Sequence, residues 1–107
     1  GNVFNFGPNN KSSITVIQLV RKIKSRWNIL NWRIVNVKKG EYESKLLKLN
    51  STKALDNINW KCYLNANQTI DMVIKWYKFF LENKNLNMYN YSINQIKEFE
   101  KIIKKNK

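Results

Sequence analysis

A chain of 107 residues with 43% apolar side chains, among them four Trp, five Tyr and five Phe, can bury one modest core and does not have the composition of a disordered segment. Its apolar runs fall well short of the ~18 residues a membrane helix needs. Histidine is absent, which removes the commonest general base and metal ligand, and the single cysteine, Cys62, excludes an internal disulfide. One cysteine also fits a reducing compartment, so a cytoplasmic location is expected. No membrane partner is expected. The start, Gly1-Asn2-Val3-Phe4, has no signal-peptide pattern and no initiator Met, which predicts a fragment or a processed product.

The net charge of +13 raises the possibility of nucleic acid or another anionic surface. Seventeen of the 20 basic residues are lysines. They are spread along a chain that is also rich in Asn and Ile, the pattern of a general compositional bias. No Arg-rich block offers the planar forks that read phosphate and bases. Nucleic acid is therefore not the leading partner; a small basic nucleic-acid-binding module stands as one alternative reading, and a non-catalytic relic or interaction module that pairs with a separate partner as another.

In chain order, Val3-Phe4-Asn5-Phe6 reads as a strand of branched and aromatic residues that ends at the turn Gly7-Pro8-Asn9-Asn10. A helix is predicted from Ser12 or Ser13 to Asn28. Its apolar stripe is Val16, Leu19, Val20, Ile23 and Trp27, with Arg21, Lys22, Lys24 and Arg26 mainly on the opposite side. Trp32 to Val37 is a second strand, closed by the turn Lys38-Lys39-Gly40.

The stretch 46–60 then acts as a pivot. Leu47 and Leu49 alternate with Lys48 as in a half-buried strand. Asn50, Ser51 and Thr52 are N-cap residue types, and Ala54, Leu55 and Ile58 share one face of a short helix that stops before Trp60. Lys61 to Leu64 is an extended link. Asn65 with Gln68 forms a capping box for the main amphipathic helix, 65–83, whose stripe is Ile70, Val73, Ile74, Tyr77, Phe80 and Leu81. Ser92 with Gln95 reads as a second capping box. It opens a terminal helix, 92–106, that carries Ile96, Phe99 and Ile103.

The predicted order is β-α-β-β-α-α-α, a helix-rich α/β fragment with too few strands for a self-sufficient doubly wound sheet. Residues 1–107 form one subdomain in this reading. It caps a larger structure, and its exposed apolar surface predicts self-association.

Residue chemistry predicts no catalysis by the chain itself. The glycines are Gly1, Gly7 and Gly40, so no phosphate cradle exists, and no tyrosine is followed by lysine four positions on. Cys62 lacks a histidine to activate it. Glu41 and Glu43 can be read as an acid/base pair or as a solvated turn. The turn at Asn5-Phe6-Gly7-Pro8-Asn9 places amides at a strand end, a usual ligand position in α/β proteins, or else is a plain Asx-rich turn.

Four ordered blocks carry a family resemblance: Phe4-Asn5-Phe6-Gly7-Pro8-Asn9; Glu43 followed by Leu47-Lys48-Leu49-Asn50-Ser51-Thr52-Lys53-Ala54; Trp60; and Asn65 with Trp76-Tyr77-Lys78. Together they resemble the C-terminal part of CDP-glucose 4,6-dehydratases, which are extended short-chain dehydrogenase/reductase proteins. The tail Tyr91 to Glu100 is also similar to that family's ending, so the resemblance covers nearly the whole chain. The chain departs from the family pattern at four positions: Tyr42 stands for a histidine, Asn50 for an aspartate, Asn59 for a glycine and Cys62 for a proline.

The resemblance implies a parent lyase that converts CDP-glucose to CDP-4-keto-6-deoxyglucose and water, using NAD bound by an N-terminal Rossmann domain that this chain lacks. The chain would be the C-terminal substrate-binding subdomain, inactive alone and without a cofactor or metal of its own. Its implied partners are CDP-glucose or a related sugar nucleotide, the Rossmann domain, and further copies in a homo-oligomer. Glu43 is the first candidate for the substrate edge, followed by Tyr42, Asn5, Asn9 and Lys45.

Overall fold

The computed structural model describes residues 1–8, 14–35 and 49–107. Within them four helices form: α1 (Val16–Arg26), α2 (Thr52–Ile58), α3 (Ala66–Glu82) and α4 (Tyr89–Lys105).

α3 and α1 begin where side chains close the first turn. Asn65 caps α3: its Oδ1 accepts from the Gln68 N–H at 2.9 Å, and the Gln68 Oε1 accepts from the Asn65 N–H at 2.9 Å. This is the box read from the sequence. α1 has the same device one residue type away from expectation. Its cap is Thr15, not Ser12 or Ser13, and Gln18 returns the bond. The T-x-x-Q pattern is as legible as N-x-x-Q, and two bonds outweigh the one that a lone serine offers.

α4 departs from the prediction for a physical reason. It begins at Tyr89, so Ser92 and Gln95 are interior and cap nothing. Residues three apart share a helix face, and here that face meets α3. The Trp76 indole N–H donates to the Ser92 hydroxyl at 3.0 Å, and the Gln95 amide donates to the Met72 carbonyl at 2.8 Å. Phe79 and Tyr91 stack at 4.3 Å between centroids. With Met72 opposite Gln95 and Phe79 opposite Tyr91, α3 and α4 run antiparallel as a helical hairpin.

α1 lies on the other flank of α3. Lys22 donates to the Asn67 side chain at 2.8 Å, Arg26 pairs with the Asp71 carboxylate, and the Lys78 ammonium donates to the Arg26 carbonyl at 2.7 Å. Residue numbers rise together across this interface, so α1 and α3 run in the same direction. The sequence placed Lys22 and Arg26 mainly on the far side of α1 from its apolar stripe. The structure draws both to the seam, because Asn67 and Asp71 on α3 give them acceptors there. Asp71 is 46% exposed in its side chain, so the pair contributes little, at most about 1 kcal/mol. Lys78 does more geometrically: it closes the carbonyl end of α1, where a cation is favoured.

The buried set among the described residues is small: Ala54 on α2, and Ile70 and Ile74 on α3. The predicted α3 stripe therefore splits. Ile70 and Ile74 are enclosed, while Val73, Tyr77, Phe80 and Leu81 are exposed. Val16, at 74% exposure, lies outside the α1 contact although it falls in the predicted stripe.

The α/β class and the β-α-β-β-α-α-α order are corrected by this structure: no strand or sheet occurs among the described residues. Val3 to Phe6, Trp32 to Val35 and Leu49 run without strand pairing. Asn36, Val37, Leu47 and the turn 38–40 lie outside the described residues. Branched and aromatic residues favour a strand only where a second strand completes their N–H and C=O groups. Val3 to Phe6 instead lies against Lys53 and Trp60.

Two outcomes test this packing. Ile74→Ala should cost about 2–3 kcal/mol by loss of buried volume, whereas Val73→Ala, one position away and half-exposed, should change stability by less than about 1 kcal/mol. Urea denaturation followed by circular dichroism measures both. The exposed α3 face should also drive concentration-dependent self-association in sedimentation velocity, and a clean monomer across the accessible range contradicts it.

Candidate functional site

The N-terminal segment, residues 1–8, is held on α2 by contacts that span more than 40 positions of sequence. The Gly7 N–H donates to the Ser51 hydroxyl at 3.0 Å. The Lys53 ammonium donates to the Val3 carbonyl at 3.0 Å and lies 5.3 Å from the centre of the Phe4 ring. Phe6 meets Trp60 edge to face, with centroids 4.9 Å apart. At Gly7 the segment passes so close to Leu49 that an added Cβ would stand 2.9 Å from the Leu49 Cβ. A glycine is needed there for approach.

Ser51 precedes α2 but makes no side-chain cap to it. Its hydroxyl holds Gly7 instead, and Asn50 does the local work: the Asn50 Oδ1 accepts from the Thr52 N–H at 2.9 Å, an Asx turn. At the far end Asn59 adopts the left-handed conformation, with φ 52°. Asparagine tolerates this region better than other non-glycine residues. The chain then reverses so that the Trp60 N–H reaches the Ala54 carbonyl at 3.2 Å. Asn50 and Asn59 are two of the four departures from the family pattern, and both positions keep a geometry that asparagine supports.

Two open clefts flank this junction. The first, about 250 Å³, lies between Gly7 and Pro8 on one side and Asn50, Ser51, Thr52 and Trp60 on the other. The second, about 270 Å³, is lined by Phe6, Trp60, Tyr63 and Phe99, with Thr69 at its polar margin. Gly7, Trp60, Lys61 and Cys62 border both. Tyr63 and Phe99 are edge to face at 6.5 Å, and the Lys61 ammonium lies 5.0 Å above the Tyr63 ring. Cys62 is half-buried, and its thiol donates to the Leu64 carbonyl at 3.3 Å.

Of the predicted substrate-edge residues, Asn5 is exposed and lines neither cleft. Glu43, Tyr42, Lys45 and Asn9 lie outside the described residues. The sequence reading passed over Lys61 to Leu64 as an extended link after Trp60. Its signal was a lysine interleaved with aromatic residues, and Phe99 could not be added to it from the sequence because it lies on a different helix.

Among the described residues no group of three His, Cys, Asp or Glu side chains could hold a metal ion, and no helix is long and apolar enough to cross a membrane. Gly7 is the only interior glycine among the described residues, and it packs on Leu49.

A scan against protein-family models, a search of curated proteins and a search of solved structures each returned no match.

Two substitutions test how the site is built. Ser51→Ala removes the acceptor for Gly7 and should speed hydrogen exchange of the Gly7 amide about fivefold, the equivalent of about 1 kcal/mol. Gly7→Ala should speed exchange further in the neighbouring amides, because the segment must lift from Leu49. Unchanged exchange in both variants would show that the segment is held by other contacts.

Proposed function

We propose that this chain is the substrate-side portion of an NAD-dependent CDP-glucose 4,6-dehydratase, working in the cytoplasm on precursors of deoxysugars in lipopolysaccharide or O-antigen. One observation carries the reading. Three of the four sequence blocks that resemble that family converge on a single junction: Gly7 and Pro8 from the first, Asn50 to Thr52 from the second, and Trp60. Blocks separated by about 40 residues and joined by a hydrogen bond behave as one unit, as the parts of a substrate-binding edge should.

The fourth block has a different role. Within Trp76-Tyr77-Lys78, Trp76 ties α3 to α4 and Lys78 ties α3 to α1. It sets the frame on which Trp60 and Phe99 are presented.

The chain's own contribution is binding and orientation. Asn50, Ser51 and Thr52 line an open cleft that Lys61 also borders. They suit the hydroxyl- and phosphate-rich portion of a sugar nucleotide better than an apolar ligand. Glu43, Tyr42 and Lys45 are proposed for the sugar edge on the motif resemblance alone. Hydride transfer and proton removal belong to the Rossmann domain of the parent enzyme in this reading, and no step of that chemistry is assigned to residues here. Exposed Val73, Tyr77 and Phe80 give a surface for that domain or for another copy.

Calorimetry on the chain extended to include an upstream Rossmann domain checks the assignment. CDP-glucose should bind, and Glu43→Gln should weaken it at least tenfold. Binding of GDP- or dTDP-sugars in its place sinks the CDP assignment. The 107-residue chain alone should neither turn over CDP-glucose nor bind NAD.

A further inference from the structure

We propose that the aromatic cleft is a site of its own for a small aromatic carboxylate, a flat ring system bearing a single anionic group. The proposal does not rest on the sugar-nucleotide reading, and its ligand is of a different class.

The walls come from three separated stretches of chain. Phe6 belongs to the N-terminal segment, Trp60 and Tyr63 follow α2, and Phe99 lies on α4. They form two edge-to-face pairs, Phe6 with Trp60 at 4.9 Å and Tyr63 with Phe99 at 6.5 Å. In such a pair the ring that turns its edge keeps its two faces clear of its partner. A flat ligand stacks on a clear face at centroid separations of about 4.5–7 Å. The cleft holds about 270 Å³, just below the ~300 Å³ at which drug-sized sites begin. It therefore takes one small ring system and excludes a bulky or extended ligand.

The polar groups at the cleft select the other half of the ligand. Lys61 is the one charged residue on its lining, and the ammonium lies 5.0 Å from the centre of the Tyr63 ring. No carboxylate lines the cleft among the described residues. The Thr69 hydroxyl donates to the Asn65 carbonyl at 3.0 Å, and the Cys62 thiol donates to the Leu64 carbonyl at 3.3 Å. Both of those protons are engaged within the chain. The Lys61 ammonium carries three donors, so it can bond a carboxylate while it stays over Tyr63.

Three other ligand types match less of this surface. A quaternary ammonium, the usual guest of clustered aromatic rings, meets a Tyr63 face already taken by Lys61 and a chain of net charge +13. A saturated acid of the same size keeps the charge and loses the stacking. A neutral arene keeps the stacking and loses the charge.

Those differences set the experiment. Backbone and side-chain resonances of the 107-residue chain are followed during titration with indole-3-acetate, neutral indole, cyclohexylacetate and cytidine 5′-monophosphate. Indole-3-acetate should shift the Tyr63 and Phe99 ring protons, the Trp60 indole and the Lys61 and Thr69 amides, saturably. Indole and cyclohexylacetate should act at the same residues at least tenfold more weakly. Lys61→Gln, at an exposed position, should weaken indole-3-acetate about tenfold and leave indole unchanged. Tyr63→Leu should weaken both about fivefold, with circular dichroism confirming that the helices persist.

Shifts confined to other residues, cyclohexylacetate binding as tightly as indole-3-acetate, or no effect of Lys61→Gln overturns the proposal. Cytidine 5′-monophosphate binding these residues more tightly than indole-3-acetate overturns it too, because the cleft then belongs to the nucleotide. The sugar-nucleotide reading fails separately: if the extended chain ignores CDP-glucose while indole-3-acetate binds here, that reading is lost and this site stands.

Discussion

Asp71 and Trp76 point to opposite flanks of α3, and each draws another helix to it. Asp71 takes Arg26 of α1, and Trp76 donates to Ser92 of α4. Between those flanks Ile70 and Ile74 are enclosed. The helical frame depends on α3 having a partner on both sides, because two buried isoleucines supply little burial energy by themselves. Directed contacts compensate. Lys78 closes the carbonyl end of α1, Gln95 reaches the Met72 carbonyl, and Phe79 stacks on Tyr91. Such contacts fix orientation strongly and add stability modestly.

The cleft region is connected to that frame through residues 60–64. Trp60 belongs to the α2 side, where Phe6 packs on it. Tyr63 belongs to the α4 side, where Phe99 meets it. The four residues from Trp60 to Tyr63 span both, and Lys61 sits between them in sequence. The N-terminal segment depends on the same junction, since Gly7 touches Leu49 and Ser51 while Phe6 touches Trp60.

How far the residues could be read without coordinates differs from element to element. Asn65 and Gln68 announced the start of α3 correctly, because both partners of a capping box lie within four residues. The same four-residue logic failed for Ser92 and Gln95. Their side chains are equally suited to a cap, but α3 offered them the Trp76 indole and the Met72 carbonyl. Val3 to Phe6 and Trp32 to Val35 carry strong strand character, and neither found a strand to pair with among the described residues. For the site, only Asn5 of the predicted edge is described, and the aromatic cleft was not anticipated, since Phe6, Trp60 and Phe99 are far apart in the chain.

By itself the sequence determined what depends on neighbours within a turn or two: the cap and period of α3, the helical run of α1, the N-cap residue types ahead of α2, and the absence of a histidine or a glycine-rich motif. Only the tertiary structure decided which half of each apolar stripe is covered, that Ser51 holds Gly7 rather than its own helix, and that Trp60, Lys61 and Cys62 border both clefts. The physical reason is range. A capping bond or a helical period is satisfied by residues three or four apart, whereas burial, strand pairing and a binding cleft require groups that the chain brings together from 40 or more positions away.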